Sequence, residues 1–342
     1  MNSYYTNRIE GQHTLPADIE RAMRQDFSDD VDRAAKQRLA IAHMCTEKWA
    51  ETTYRGRRTQ SLFDPEIVLA LHKHLYGQLS EMDLQTLDGR NVEPGVLRTT
   101  DVKVGEHRPP PPNSVPALLA HFASRYGALV AGEGLLVGIA CAHHRLAWIH
   151  PFVDGNGRTA RLHSHLLLSS MDLTHGLWSP LRGLARRRDD YCGLLHNADL
   201  PRRNDLDGRG ALSQEHLVAF AAFFLEICLD QVRFIRSMLR MEDMRPRLMA
   251  LLAFEKAQGN DSLSSSAADV LHYTFMSGPI ERGRFLAMLG VPERTGRRTL
   301  TALLEYGLLT SGSVRGPVSF AVPFRSLRFL FPDLWPEAEG SV

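Results

Sequence analysis

Cysteine is scarce in this chain, and the few cysteines are scattered. The 342 residues include four of them, at Cys45, Cys141, Cys192 and Cys228. No two form a Cys-x-x-Cys pair. The sequence therefore gives no indication of a disulfide framework of the kind that stabilises small secreted proteins.

Long apolar runs and a surplus of either charge are also missing. The longest apolar candidate is broken by His143, His144 and Arg145, so no stretch is long enough for a membrane-spanning helix. No second metal-ligand spacing accompanies the two histidines, so zinc is not expected. The first residues lack the basic-then-apolar order of a secretion signal. With 40 basic and 39 acidic residues the formal net charge is +1, which gives no overall attraction to nucleic acid or membranes. We therefore expect a cytoplasmic protein with no membrane partner.

The most informative stretch that is present covers residues 150–161, with the sequence HPFVDGNGRTAR. Apolar residues at helical spacing precede it from Leu135 to Ile149, and a second helical pattern begins at Leu162. The loop therefore leads into the N-terminus of a helix, where free backbone N–H groups and the helix dipole attract anions. Glycines let the backbone approach such an anion closely. The pattern predicts a phosphate-binding loop.

The side chains of the same run suit phosphate chemistry. Arg158 and Arg161 are three residues apart and share a helix face, and guanidinium groups match phosphate oxygens. The carboxylate of Asp154 could hold Mg²⁺ between two phosphates. His150 could remove a proton near neutral pH, and Phe152 is expected to point inward. An ordinary helix–loop–helix turn is the alternative, but it gives the charged residues no reason to converge.

The run resembles the motif of the Fic domain family, His-x-Phe-x-(Asp/Glu)-(Gly/Ala)-Asn-(Gly/Lys)-Arg-x-x-Arg, at every specified position. This resemblance implies that AMP is transferred from ATP to a Ser, Thr or Tyr hydroxyl of a protein. His150 would be the general base, and Asp154 would hold Mg²⁺. Doc-type kinases of the superfamily have Lys where this chain has Gly157, so the glycine favours adenylylation.

The resemblance also implies how the nucleotide is bound. Gly155, Asn156 and Gly157 would form the nest for its phosphates. Arg158 would bind the outer phosphates, and Arg161 the γ-phosphate. Attack at the α-phosphate requires in-line geometry, charge neutralisation and a base, and this one loop would supply all three.

A second segment resembles the flap of the family, a hairpin over the active site. Apolar and polar residues alternate from Asp101 to Arg108, and four prolines follow at residues 109–112, which predicts a strand that ends at the prolines. In the family the flap holds the target protein by edge-strand pairing, here through Val102, Lys103 and Val104. A plain surface hairpin is the alternative.

Near the N-terminus, residues 6–11 (TNRIEG) resemble the inhibitory motif of many Fic proteins, (Ser/Thr)-x-x-x-Glu-(Gly/Asn). In those proteins the glutamate pairs with the second arginine of the motif, here Arg161. Glu10 would then compete with a phosphate for one guanidinium group. The alternative is a helix that begins with an N-cap at Thr6 and ends at a glycine turn.

The chain is long enough for two or three domains. The patterns divide it into an N-terminal helical region with the inhibitory motif (1–63), a Fic catalytic core (64–241), a helix and linker (242–266) and a C-terminal domain (267–342). The C-terminal domain is predicted to have two helices, at 280–289 and 292–305, and two strands, at 308–311 and 318–322.

That order of elements is typical of a winged helix. Arg294, Arg297 and Arg298 fall on its second helix, where a DNA-binding protein needs cations. A solvated surface used for protein contacts or dimer assembly is the favoured alternative, and DNA remains the other one.

Taken together, the sequence predicts a mainly α-helical protein with a Fic core, a small β-hairpin flap and a C-terminal winged helix. We expect an ATP- and Mg²⁺-dependent protein adenylyltransferase that is autoinhibited by Glu10 and modifies another protein or itself, with a homodimer left open. Three alternatives remain. One enzyme would remove AMP, with Glu10 activating water, and another would transfer a different phosphate-containing group. The third is a DNA-binding regulator with a nucleotide-sensing Fic domain, against which the intact His150 argues.

Overall fold

The computed structural model describes residues 1–12, 14–86, 88–105, 107–174 and 177–334. Two of the sequence predictions therefore extend beyond the described residues. Glu106 of the predicted flap strand is one case, and residues 335–342 of the predicted C-terminal domain are the other.

The described residues are mainly helical, which confirms the predicted fold class. The α-helices are α1 Asn2–Ile9, α2 Pro16–Met23, α3 Val31–Thr53, α4 Pro65–Tyr76, α5 Val115–Gly127, α6 Glu133–Ile149, α7 Asn156–Ser170, α8 Leu181–Arg186, α9 Arg188–Asn197, α10 Gln214–Met238, α11 Met241–Ala257, α12 Ala267–Ser277, α13 Arg282–Met288, α14 Glu293–Tyr306 and α15 Leu327–Leu330. The two strands are β1 Leu309–Thr310 and β2 Ser319–Phe320. Short 3₁₀ helices lie at Thr59–Phe63, Glu81–Leu84, Pro112–Ser114, Phe324–Ser326 and Pro332–Leu334. No helix in these ranges is both long enough and apolar enough to cross a membrane.

The chain divides into two compact units, residues 1–233 and 234–342, and each has its own hydrophobic core. At the centre of the first unit lies α7, which packs against α3, α4 and α6. Its residues from Arg158 to Leu168 are buried. A helix that is covered on all sides lies in the protein interior. Packing on all sides fixes the position of the N-terminal end of α7, where the candidate site lies.

The N-terminal helix α1 is part of the first unit's core. Tyr4 and Tyr5 are 6% and 2% exposed, and the helix packs against α3 and α8. A helix of eight residues is marginal in isolation, so its packing keeps it folded. Thr6 lies within this helix, whose last residue, Ile9, directly precedes Glu10. Thr6 is therefore not its N-cap, which overturns the alternative interpretation of this segment.

The predicted strand over residues 101–108, here called the flap segment, is not formed in the part of it that the structure describes. Val104 and His107 make one antiparallel bridge, in which each backbone N–H donates to the carbonyl of the other, at 3.1 and 2.9 Å. Gly105, with φ of 57°, makes the turn between them. Alternation predicts which side chains share a face, but a strand also needs a partner along its length, and here only one residue pair has one.

In the second unit, α13 and α14 are followed by the antiparallel strands β1 and β2, with Leu309 opposite Phe320 and Thr310 opposite Ser319. Leu300 and Leu303 of α14 are buried, and Gly307 ends that helix with φ of 90°. The elements appear in the predicted order, although both strands are shorter than predicted. The winged-helix assignment stays a prediction.

Candidate functional site

A cavity of about 1180 Å³ opens beside the N-terminal end of α7. Every residue that the sequence predicted for the site lines it. These residues are Glu10, Val102, Lys103, Val104, His150, Asp154, Gly155, Asn156, Gly157, Arg158 and Arg161. The fold thus brings together groups from the N-terminus, the flap segment and the loop between α6 and α7.

His150 directly follows α6 and has a left-handed backbone conformation, with φ of 51° and ψ of 62°, which is uncommon for a residue with a side chain. Its Nδ1 lies 3.3 Å from the carbonyl oxygen of Ala147. A carbonyl can only accept, so Nδ1 donates and Nε2 keeps its lone pair. Burial, and then nearby His107, lower the pKa of His150 to about 4. At neutral pH the imidazole is uncharged, as a general base must be.

A buried arginine to which the sequence assigned no role holds the backbone around His150. Arg98 is 3% exposed and donates from Nε to the carbonyl of His150, at 2.7 Å. It also donates to the carbonyls of Ile149, Thr100 and Pro110. The last two of these lie on either side of the flap segment. Its positive charge also suits the negative end of the α6 dipole.

The side chain of Asn156 closes the loop. Its Oδ1 accepts from the backbone N–H of Phe152, and its Nδ2 donates to the carbonyl of Phe152, both at 2.9 Å. Phe152 is fully buried, as predicted. The amide of Asn156 is therefore engaged within the loop, and only its backbone can contribute to an anion nest.

Helix α4 fixes Asp154 at two points. The hydroxyl of Tyr76 donates to Asp154 Oδ2 at 3.2 Å. His72 Nδ1 accepts from the backbone N–H of Gly95, so its Nε2 donates to the backbone carbonyl of Asp154, at 3.1 Å. Gly155 has φ of 78°, and a Cβ there would lie 2.3 Å from the Tyr76 ring. Only glycine fits between α4 and the carboxylate that it positions.

Arg158 has unsatisfied hydrogen-bonding capacity. Its side chain is buried at 4% exposure, yet Nε and Nη2 have no hydrogen-bond partner in the described part of the chain. Buried donors of a charged group are costly when unpaired. Because Arg158 lines the cavity beside the N-terminus of α7, an anion there would satisfy them.

Arg161 is occupied by the predicted inhibitory motif. It donates from Nη2 to Glu10 Oε1 and from Nε to Thr6 Oγ1, at 2.8 Å. Its side chain is 2% exposed. Thr6 and Glu10 of the motif therefore contact the same guanidinium group, so Arg161 is not available to a phosphate in this arrangement.

The carboxyl group of Glu10 is ionised throughout the neutral pH range. Burial alone would raise the pKa of its carboxyl, but Arg161 and Arg158 outweigh burial and bring the pKa to about 2. A depressed carboxyl pKa means that the ion pair is fully formed above the ordinary value and is lost only as pH falls toward about 2. The contact with Arg161 is therefore insensitive to pH in the neutral range.

Gly157 gives Glu10 the space it occupies. A Cβ at position 157 would lie 2.7 Å from Glu10 Oε1 and 3.1 Å from Arg161 Nη1. Both distances are too short for an ordinary contact. A side chain at this position and the carboxylate of Glu10 cannot occupy this space together.

The two adjacent histidines of α6 are core residues. His143 contacts Ser164 Oγ at 2.7 Å and the Tyr191 hydroxyl at 2.8 Å, while His144 contacts Asp199 at 2.8 Å. Within the described ranges, no group of three or more His, Cys, Asp or Glu side chains is placed to hold a metal ion. Asp154 instead presents a single exposed carboxylate to the cavity.

Comparison with known proteins identifies a family for this region. The sequence profile of the Fic/DOC family matches residues 62–168. Proteins named protein adenylyltransferase Fic are 37% identical over 105 residues in Culex quinquefasciatus, 35% over 102 in Drosophila grimshawi and 36% over 102 in Aedes aegypti. Each match covers 30% of this chain but only 18–19% of the relative's length.

The fold gives a similar result over a larger part of the chain. The crystal structure of a Fic family protein from Desulfovibrio desulfuricans G20 aligns with a TM-score of 0.51, over 93% of this chain and 85% of that one, at 18% identity. A likeness at such low identity concerns the fold alone. The matching profile, together with the complete loop motif and the relatives, shows that residues 62–168 of this chain are a domain of the Fic/DOC family.

Proposed function

We propose that this protein transfers AMP from ATP to a hydroxyl side chain of a protein, and that Glu10 restrains the reaction. The observation that carries this proposal is that one cavity is lined both by a neutral, buried His150 and by Arg158, which has unpaired N–H groups. One group can accept a proton and the other can bind a phosphate. The relatives named adenylyltransferases support AMP as the group transferred.

The chain's residues divide the work as follows. Nε2 of His150 takes the proton of the target hydroxyl, whose oxygen bonds to the α-phosphorus while the bond to pyrophosphate breaks. The backbone N–H groups at the start of α7, together with Arg158, hold the phosphates. Val102, Lys103 and Val104 line the same cavity, and in this proposal their backbone holds that of the target.

Mg²⁺ fits the donor set that this site offers. Mg²⁺ prefers carboxylate oxygens and commonly binds through one or two of them together with substrate phosphates, and Asp154, oriented by Tyr76, supplies one. When bound, Mg²⁺ neutralises phosphate charge. The residues of the loop would hold the nucleotide so that Asp154 faces its phosphates.

A second candidate, removal of AMP from a modified protein, is favoured by the position of Glu10. Its carboxylate lies in the same cavity as Asp154 and His150, where it could accept a proton from water. An AMP-modified target incubated with wild-type protein and with Glu10→Gly separates the two directions. Loss of label with the wild type alone would support removal.

The test of the main proposal uses ATP labelled at the α- or the γ-phosphate, with Glu10→Gly protein and Mg²⁺. Adenylylation predicts that protein is labelled only from α-labelled ATP and that adding His150→Ala abolishes the label. Label from γ-labelled ATP would instead show phosphate transfer. No label from either, against lysate proteins or the enzyme itself, would contradict both.

A further inference from the structure

His107, at the end of the flap bridge, is anchored to two other parts of the first unit. Its Nδ1 lies 2.9 Å from Asp199 Oδ2, and its Nε2 lies 3.1 Å from the backbone carbonyl of Trp148. Its side chain is 14% exposed. The backbone of His107 pairs with Val104. One residue thus links the flap segment to the last turn of α6 and to the turn that follows α9.

Both partners of His107 are hydrogen-bond acceptors. A carboxylate and a backbone carbonyl both accept hydrogen bonds, whereas a neutral imidazole has only one N–H. Both contacts can be made together only by the protonated ring. Asp199 stabilises that form, because the hydrogen bonds from His107 and His144 outweigh its burial and lower the pKa of its carboxyl to about 2.

The ring of His107 lies close to the predicted base. The ring centroids of His107 and His150 are 6.2 Å apart. After burial, His107 is the largest cause of the lowered pKa of His150. The titratable groups that face His107 are Asp199 and His150, with His144 bound to the other oxygen of Asp199. A cation at His107 favours the neutral form of His150.

We propose that His107, held by Asp199, is a positioning residue that fixes the tip of the flap segment to the helix ending at His150 and keeps a positive charge beside that imidazole. The role of His150 as a base rests on the proposed function, but the contact and the charge do not. The position of the flap segment and the protonation state of His150 would then both depend on the side chain of His107.

The test follows the titration of His150 by NMR in ¹³C-histidine-labelled full-length protein without ATP, with its resonance assigned by His150→Gln. His107→Gln removes the charge but retains one donor and one acceptor. Asp199→Asn removes the carboxylate that favours protonation. Exposed His121 on α5 provides the control His121→Gln. We expect His107→Gln to raise the pKa of His150 by on the order of one unit. Asp199→Asn should not raise it, because His107 can still take up a proton at the acidic pH where His150 titrates, and the control should leave it unchanged.

Hydrogen exchange provides the second readout. The amides of Val104 and His107 bond to each other's carbonyls, so they should exchange at least several-fold faster in both site variants. An unshifted His150 titration in His107→Gln would overturn the proposal. If that variant does not fold, the same result in His107→Asn overturns it. Neither measurement requires AMP transfer, so failure of the proposed function and failure of this inference are separable.

Discussion

Gly157 bears on both the proposed AMP transfer and its restraint by Glu10. The sequence predicted it as the residue that favours AMP transfer, and the structure shows that it also makes room for Glu10. Its backbone lies at the start of α7, where alanine is favourable for a helix. The obstacle to alanine is therefore the carboxylate of Glu10, the end of a flexible side chain that can move away.

Gly157→Ala should raise AMP incorporation by the otherwise wild-type protein by roughly tenfold, since losing a hydrogen bond to a charged group costs about 1.5–3 kcal/mol. The rate of labelling from α-labelled ATP measures this. The matched control is the same substitution in Glu10→Gly protein, where it should give no gain. An equal gain in both backgrounds would show that the added methyl group acts on the nucleotide and not on Glu10.

The low pKa of His150 predicts an unusual pH profile. A histidine with the ordinary pKa of 6.5 would lose activity as a base below neutral pH. With the pKa lowered to about 4, kcat/KM of Glu10→Gly protein should stay constant down to about pH 5.5 and fall only as pH approaches the pKa. Initial rates across this range test it, and an inflection near 6.5 would contradict the assigned environment of His150.

At the scale of elements, α1 is held in place by a contact outside its own motif. Arg188 Nε, on α9, donates to the backbone carbonyl of Ile9 at 2.7 Å, directly before Glu10. Protonation cannot release Glu10 in the neutral range, so a movement of α1 is one route to its release. We expect the hydrogen bond from Arg188 to oppose that movement.

Arg188→Ala should therefore raise AMP incorporation several-fold without changing Glu10 or Arg161. Arg187→Ala is a close control, since Arg187 pairs instead with Asp190 and Glu226 at the surface. In Glu10→Gly protein, Arg188→Ala should give no increase. If it increases labelling there as well, Arg188 acts on the substrate and not on α1.

How much of the site the sequence predicted depends on how local each feature is. The loop from His150 to Arg161 is one continuous segment, so its residues and the helix that it begins could be named in advance. Glu10 and Arg161 are 151 residues apart, and only the family resemblance joined them. Arg98 and Tyr76 were missed because their partners are distant in sequence and no local pattern marks them.

Elements followed the same rule. Helices are defined by periodicity within one segment, and α6, α7 and α14 formed where predicted. The flap strand failed because pairing depends on a neighbour that alternation does not specify. Asn156 was assigned to the phosphate nest, yet its side chain bonds Phe152 within the loop, a use that the motif alone does not reveal.

At the scale of the whole molecule, every described residue that lines the cavity belongs to the first unit. The residues proposed for the reaction and for its restraint therefore lie in the same compact unit. Its hydrophobic core includes residues of both α1 and α7, so Glu10 and Arg161 belong to one folded unit. We infer that the site is complete but is held inactive by Glu10.

The most direct test compares initial rates of AMP incorporation from α-labelled ATP and Mg²⁺ for wild-type protein, Glu10→Gly and Glu20→Gly. Glu20 lies on α2, pairs with Arg24 and does not line the cavity, so its loss controls for removal of a carboxylate outside the site. We predict that Glu10→Gly is at least tenfold faster than the wild type, in line with the loss of one charged hydrogen bond worth about 1.5–3 kcal/mol, while Glu20→Gly matches the wild type. Equal rates for Glu10→Gly and wild-type protein would contradict the account.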